Sequence, residues 1–532
     1  MNSFNFKRGI FLTFFANLFA FFWVYQNVRA NNIQVSNISV TGQNVSAGTN
    51  NSANFTHIKF DLSWDNSWRI STGPANWDAA WVFVKYRVNN GPWLHAFLND
   101  AGHSAGSGTA ATITPGLLNT SNSFNSTTNP AMGVFVHRSG NGAGTFSQTG
   151  LQLRWNYAAN GVADGDVVDV KVFAVEMVYV PGGSFQVGDG TSTSVQGHFR
   201  DGSANSPLTI SSENAITLGG TANGNLANND NVGMLAVDDF SNSVTKTLAA
   251  AFPKGFNAFY CMKYEVSQQH WVDFFNTLDN TQKSNRDITD GILNMTGKAS
   301  DAEVNRNNIS WTSGNATLNG GTSGNVACNF LSWMDGAAFS DWACLRPMTE
   351  LEYEKACRGP LNAVVNEFAW GTTNITWATG ITNSGANNEV ASNAGANVAY
   401  NNQPAVQGPM RVGSFATSTS TREDAGASHY GIMELTGNLW ERIVTVGHPT
   451  GRNFTGSLHG DGLLTSDGFC DIATWPGFVT NKVTGAAGSG YRGGDWLNTN
   501  TTTLRVSDRY SASGIYTERR SRQGFRAVRS AP

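Results

Sequence analysis

The sequence predicts a β-rich N-terminal half followed by an α+β domain, on three observations. Between Asn31 and about Val175, apolar and polar residues alternate with a period of two. Beyond Glu176 that alternation gives way to short amphipathic helix patterns set between long polar stretches. Charged residues make up only 14% of the 532-residue chain while glycine reaches 58, which suits many short strands and polar loops better than helix bundles.

A chain of this length exceeds one ordinary core, so two domains are expected. Residues 1–30 read as an export signal, 31–175 as the β-rich domain and 176–532 as the second domain. In the first stretch Lys7 and Arg8 precede an apolar run from Gly9 to Tyr25, and Val28-Arg29-Ala30 offers small residues to a signal peptidase. Cleavage after Ala30 is the expectation. An uncleaved anchor is the alternative, because the run comes close to the length that spans a bilayer. Export would place the protein in a periplasm, at a cell surface or in the medium, with membrane contact only through that segment.

Within the first domain, Ile33 to Val40, Phe55 to Trp64, Trp81 to Val88 and Val168 to Val175 each alternate as half-buried strands do. Asn89-Asn90-Gly91, between Val88 and Trp93, is hairpin chemistry. With Gly, Asn and Ser turns and no credible helix, the pattern predicts an immunoglobulin-like β-sandwich. Trp64, Trp68, Trp77, Trp81 and Trp93 read as inter-sheet and turn packing, the alternative being an aromatic surface for a sugar. Gly102-His103-Ser104-Ala105-Gly106 matches the G-x-S-x-G nucleophile elbow. That elbow needs a helix after it, whereas a turn and a strand-like run through Thr114 follow, so the stretch reads as a glycine-rich loop.

The net charge of -4 lacks the basic footprint of a nucleic-acid binder. The five cysteines, Cys261, Cys328, Cys344, Cys357 and Cys470, form no C-x-x-C, which excludes a zinc knuckle and a thioredoxin-type site. After export they would allow one or two disulfides and leave one thiol over.

Ordered blocks follow in the second half. Met177 to Gly188 is a strand pair with a Pro-Gly-Gly turn. Phe259 to Ser267 runs into a helix, Gln268 to Leu278, with Ser267 as its N-cap. Leu331 to Phe339 leads to Leu345 through Gly359, a second helix announced by Thr349. Phe368 to Gly371, Tyr430 to Glu441, Arg492 to Trp496 and Gly524 to Arg529 close the series. In this order the blocks resemble the sulfatase-modifying factor family, the formylglycine-generating enzyme and its relatives. The resemblance implies a compact α+β domain of C-type-lectin-like topology. Two insertions, Asp189 to about Lys254 and Gly380 to about Asp424, exceed a minimal member and are expected to be surface loops.

The last blocks carry the functional question. Gly493-Gly494 before Asp495 and Trp496 lets the backbone turn sharply or approach another segment closely. Arg492, Arg505, Arg509, Arg526 and Arg529 sit among apolar residues, so their guanidinium groups are expected to pair with carboxylates. In family members that oxidise a sulfatase cysteine, two cysteines shortly after the Arg-Gly-Gly block bind copper, since soft thiolate selects the cuprous ion. Aligned on Gly493-Gly494, those positions fall on Asn498 and Thr503, and no cysteine follows Cys470. Other members hold iron through histidines of a helical domain, and the nine histidines here show no H-x-x-x-H pairing. Neither copper nor iron is expected. Gly437-Asn438-Leu439-Trp440-Glu441 is similar to the family's structural calcium loop, which implies Asn438 and Glu441 as oxygen ligands; hydrogen bonding of the turn is the alternative.

Binding remains. The same domain serves without catalysis in the variable proteins of diversity-generating retroelements, whose variable segment lies between an Arg-Gly-Gly and a Gly-Phe-Arg block. Here that segment opens with Asp495, Trp496, Leu497, Asn498, Thr499 and Asn500. It continues through Arg509, Tyr510, Ser511 and Ser513 and ends with Ile515, Tyr516 and Glu518. Tyr, Ser and Asn supply contact area and adaptable hydrogen bonding. The sequence thus predicts an exported, non-catalytic binding or display protein whose ligand is a protein or a glycan. A structural component of a cell envelope, as among relatives in gliding bacteria, is the second reading, and an oxidoreductase of the same family the third.

Overall fold

The structure is a computed structural model that describes residues 32–189, 194–291 and 297–532. The export signal expected over residues 1–30 lies outside the described residues. Among them, no helix is long and apolar enough to cross a membrane.

The N-terminal half is strands: β1 (Gln34–Asn44), β2 (Phe55–Arg69), β3 (Asp78–Val88), β4 (Ala111–Leu117), β5 (Ala131–Arg138), β6 (Gly142–Trp155) and β7 (Val168–Val180). In β2 the alternation read from sequence is realised, with Ile58, Phe60, Leu62 and Trp64 buried on one face. They pack on Val82 and Val84 of β3, Val134 and Val136 of β5, and Leu151 and Leu153 of β6. One layer has the order β1, β2, β6 and the short strand Ser107–Gly108. β1 is its edge, and there the alternation marks pairing rather than burial: Ile38 and Val40 remain 40% and 41% exposed. Asn89 and Asn90 take φ of 50° and 62°, the left-handed pair of a type I′ turn, and the chain returns as Leu94–His95 against β3. Ser104 bridges Gln152 of β6 and is followed by the short strand, so the Gly102–Gly106 stretch is a loop.

Four later strands, β8 (Phe259–Met262), β9 (Glu441–Val444), β10 (Ser489–Arg492) and β11 (Ala527–Ser530), belong to the second half. The second layer runs Arg346–Pro347, β11, β8, β7, β3, β5, β4. β7 therefore joins the two halves. It pairs with β3 from Val168 to Val178 and with β8 from Met177 to Val180. Glu176, where the sequence pattern changes, sits inside this one strand. β3 is buried on both faces because it is covered on both: Val82 and Val84 face β2, while Trp81 and Phe83 face the helices. Trp81 Nε1 donates to the Ala343 carbonyl at 2.8 Å, and the Phe83 ring meets Trp342 edge-on at 5.0 Å. The other early tryptophans have separate surroundings, Trp77 stacking on Tyr179 at 3.9 Å and Trp93 lying under Arg87 at 4.8 Å.

Among the described residues of the mixed α+β part, the longer helices are α1 (Gln268–Phe275), α2 (Asn280–Arg286), α3 (Trp333–Trp342) and α4 (Glu350–Arg358), with a single further turn at Pro449–Arg452. Ser267, Ser332 and Thr349 cap α1, α3 and α4, each side chain accepting from the backbone N–H three residues on. All ten residues of α3 are buried, since it lies between the large sheet and the last segment. The expectation for residues 189–254 is corrected. Rather than a loop, this insertion holds a small sheet ordered Phe199–Asp201, Leu226–Asn228, Ile216–Leu218, Lys246–Leu248. Phe199, Leu218, Leu226, Phe240 and Leu248 bury its inner side. The five cysteines are buried free thiols, so the disulfides that export would allow do not form.

The arginine expectation divides. Arg492 meets Glu350 and Glu354 at 3.1 and 2.6 Å, Arg509 meets Asp238 and Glu350 at 2.5 and 2.8 Å, and Arg526 meets Glu441 at 2.7 Å. Arg505 instead donates to the Asn366 carbonyl, and Arg529 to those of Cys344 and Leu117.

Candidate functional site

The last segment leaves β10 through Gly493 and Gly494, whose φ of 87° and 71° disfavour any side chain. A Cβ on Gly494 would also come within 2.5 Å of Leu504. Asp495 sets the next turn, one carboxylate oxygen accepting from the N–H groups of Leu497 and Asn498 at 2.7 and 3.1 Å. Burial raises this carboxyl to about 6, partly offset by the Arg522 charge. Trp496 is buried and donates from Nε1 to the Ser521 carbonyl at 2.9 Å. Asn500 accepts from the N–H of Thr502 at 3.0 Å and opens a short helical turn, Thr501–Leu504. Asp508 accepts from the N–H groups of Tyr510 and Gln196 at 3.0 and 3.1 Å. Burial raises its carboxyl to about 7.

These turns surround a cleft of about 610 Å3. Asn498, Thr499, Asn500, Thr503 and Ser511 give it amide and hydroxyl groups. Trp440, Tyr491 and Tyr516 form an aromatic wall, with successive ring centroids 6.1 and 6.2 Å apart. Buried Arg442 lies 4.5 Å over the Tyr491 ring and donates to the carbonyls of Tyr516 and Glu518 at 3.0 and 3.2 Å. The backbone of this loop is thereby fixed while Ile515 and Tyr516 stay 50% and 36% exposed. Gln196 and Leu235 of the insertion, with Arg520 and Arg522, complete the walls.

Of the residues predicted to bind, Leu497, Asn498, Thr499, Asn500, Tyr510, Ser511 and Tyr516 meet at this cleft. Ile515 and Glu518 lie on the loop beside it, Glu518 reaching Arg520 at 3.4 Å. Asp495 and Trp496 are buried and shape the loop from behind. Arg509 and Ser513 are also buried, both held by Asp238, at 2.5 and 2.7 Å. Sequence reasoning did not anticipate Trp440, Tyr491, Arg442, Gln196 or Leu235. Trp440 was legible only as part of the calcium-loop motif, and the insertion residues carried no signal beyond apolar side chains in a polar stretch.

Residues 166–531 match the model of the sulfatase-modifying factor enzyme 1-like domain. The chain belongs to this family. No curated protein matches it. In this sulfatase-modifying factor enzyme 1-like chain the two positions aligned with the family's reactive cysteines, Asn498 and Thr503, both line the cleft, and no cysteine does. An amide and an alcohol are hard, neutral groups that neither select the cuprous ion nor bond to a substrate thiol.

Two places bear on a cation. Asn438 lies behind the cleft, its side-chain oxygen accepting from the Met410 N–H at 2.8 Å and its amide donating to Glu265. Glu441 accepts from Arg526. Elsewhere, carboxylate oxygens of Asp341, Asp461 and Asp471 lie within 4.8 Å of one another and could coordinate a divalent cation. Burial first, then Asp461 and Asp471, hold the Asp341 carboxyl well above the ordinary range.

Proposed function

We propose that this protein is an exported, non-catalytic binding protein that takes a surface ligand, a protein or a glycan, in the cleft bounded by Asn498, Tyr510 and Tyr516. One observation carries the reading: Asn498 and Thr503, aligned with the family's reactive pair, face a cleft lined by amides, hydroxyls and aromatic rings. Such a lining recognises and does not oxidise. The fixed backbone under Ile515 and Tyr516 supports it, because a rigid base lets exposed side chains vary without disturbing the fold. The reading includes a C-type-lectin-like topology for residues 176–532, an immunoglobulin-like one for residues 31–175, and structural calcium.

The test has two parts. The purified chain, given copper and a cysteine-containing sulfatase peptide, is expected to leave the thiol unoxidised. On glycan and peptide arrays, any bound probe is expected to be lost on Asn498→Ala or Tyr510→Ala. Thiol turnover, or array binding indifferent to both substitutions, would overturn the reading.

A further inference from the structure

Residues 194–254 are more than an appendage to the family's domain. Gln196 and Leu235 line the same cleft as Leu497 to Asn500, and the backbone of this insertion is tied to the last segment. The Arg509 N–H donates to the Gln196 carbonyl at 2.8 Å, and the Leu235 N–H to the Tyr510 carbonyl at 2.9 Å. Asp238, buried a few residues on, holds Arg509, Ser513 and Asn228 together.

The turn pinned this way points aliphatic side chains outward. Val232, Leu235 and Val237 are 62%, 55% and 64% exposed, although the inner side of the same insertion is fully packed. Ile515 and Tyr516 are exposed on the last segment. The cleft between is polar, and Arg520 and Arg522 add positive charge, of which Glu518 offsets one unit. Leu235 lines the cleft, with Val232 and Val237 exposed three residues before and two after it in the same turn, and aliphatic side chains held there mark an interaction surface.

We propose that the insertion and the last segment together form a docking surface for an extended acidic polypeptide that carries aliphatic side chains. This deepens the cleft reading and rests on it. Three chemical demands select this occupant. The amides and hydroxyls of the cleft match the N–H and C=O groups of an extended backbone, the aliphatic side chains match apolar ones, and the net positive charge left by Arg520 and Arg522 against Glu518 matches a carboxylate. A glycan meets the first demand but sets hydroxyls against Val232, Leu235 and Val237, leaving them uncovered. A bilayer surface meets the other two but does not enter a concave cleft.

The experiment uses the full chain against arrays of short synthetic peptides of random composition, with vesicles of anionic phospholipid in parallel. Bound peptides are expected to be enriched in Asp, Glu, Leu, Ile and Val. Leu235→Asp and Val237→Asp, both on exposed side chains and checked for an unchanged melting curve, are expected to weaken them about tenfold. Arg522→Glu is expected to shift selection from acidic to basic peptides, a reversal that loss of structure would not give. Peptide binding that depends on Asn498 and Tyr510 but not on Leu235 and Val237 would overturn the docking surface and leave the cleft reading standing. Binding of vesicles in place of peptides would also overturn it. Peptide binding indifferent to Asn498 and Tyr510 would instead count against the cleft reading itself.

Discussion

Asp238 and Arg509, 271 residues apart in sequence, close a bidentate ion pair at 2.5 and 3.1 Å in the interior. Glu350 at the start of α4 takes the same guanidinium from the other side at 2.8 Å. One arginine thus fastens the insertion, a helix and the last segment together. Removing Asp238 leaves the buried Arg509 guanidinium with Glu350 alone, a carboxylate that Arg492 also uses. Asp238→Asn is expected to lower the unfolding free energy by about 3–5 kcal/mol, read from denaturant titration. It should also open the insertion to proteases before the rest of the chain.

A binding segment on a rigid base divides into replaceable and irreplaceable residues. Asn498, Thr499 and Ile515 changed singly to Ala are expected to move stability by no more than about 0.5 kcal/mol, and Asn500→Ala, which removes the cap of a short helical turn, to cost about 1 kcal/mol. Trp496→Ala, by contrast, empties a buried indole site and loses the bond to Ser521, at a cost of about 3–5 kcal/mol. Thermal melts of the five variants check this. Equal losses at Trp496 and Asn498 would mean that the whole segment is structural.

Much of this was legible in the sequence where local rules decide the outcome. Ser267 and Thr349 announce helices because a cap is satisfied within three residues, and Asn89-Asn90 announces a turn because few residues accept two positive φ values; the helix that Ser332 caps went unread, because all ten of its residues are buried and it shows no apolar stripe. That Leu497 to Asn500, Tyr510 and Tyr516 belong to one segment was legible because glycine and arginine blocks bracket them, and the structure brings them to one cleft. What depends on distant partners was not legible. Arg509 reads as a contact residue until Asp238 is seen beside it, and Gln196 and Leu235 join the cleft only through backbone bonds across some 310 and 275 positions, to Arg509 and Tyr510. β3 reads as half-buried, whereas the shared sheet buries both its faces.

The pH dependence of stability should carry the mark of Asp508. Its carboxyl stands at about 7 in the folded chain, above its ordinary value of 3.8, so the folded state binds the proton more tightly. Its contribution to stability is therefore full below about 3.8 and is lost as pH rises to about 7, beyond which it is level. Asp508→Asn does not titrate. The melting temperature of the variant minus that of the parent is expected to climb across that window, and parallel curves would show that Asp508 is not the group responsible.

Calcium separates the two candidate cation positions. Three carboxylates at Asp341, Asp461 and Asp471 repel one another until a cation joins them, so calcium is expected to stabilise the fold by binding the native state. At a concentration a hundredfold above the dissociation constant the gain is about 2.7 kcal/mol, and a chelator should remove it. Asp471→Asn changes the exposed member of the trio and is expected to abolish the calcium response with little effect on the metal-free protein. Asn438→Ala is expected to lower stability with and without calcium alike, because it strips hydrogen bonds from Met410 and Glu265. A calcium response that survives Asp471→Asn and disappears in Asn438→Ala would move the ion to the Asn438–Glu441 loop.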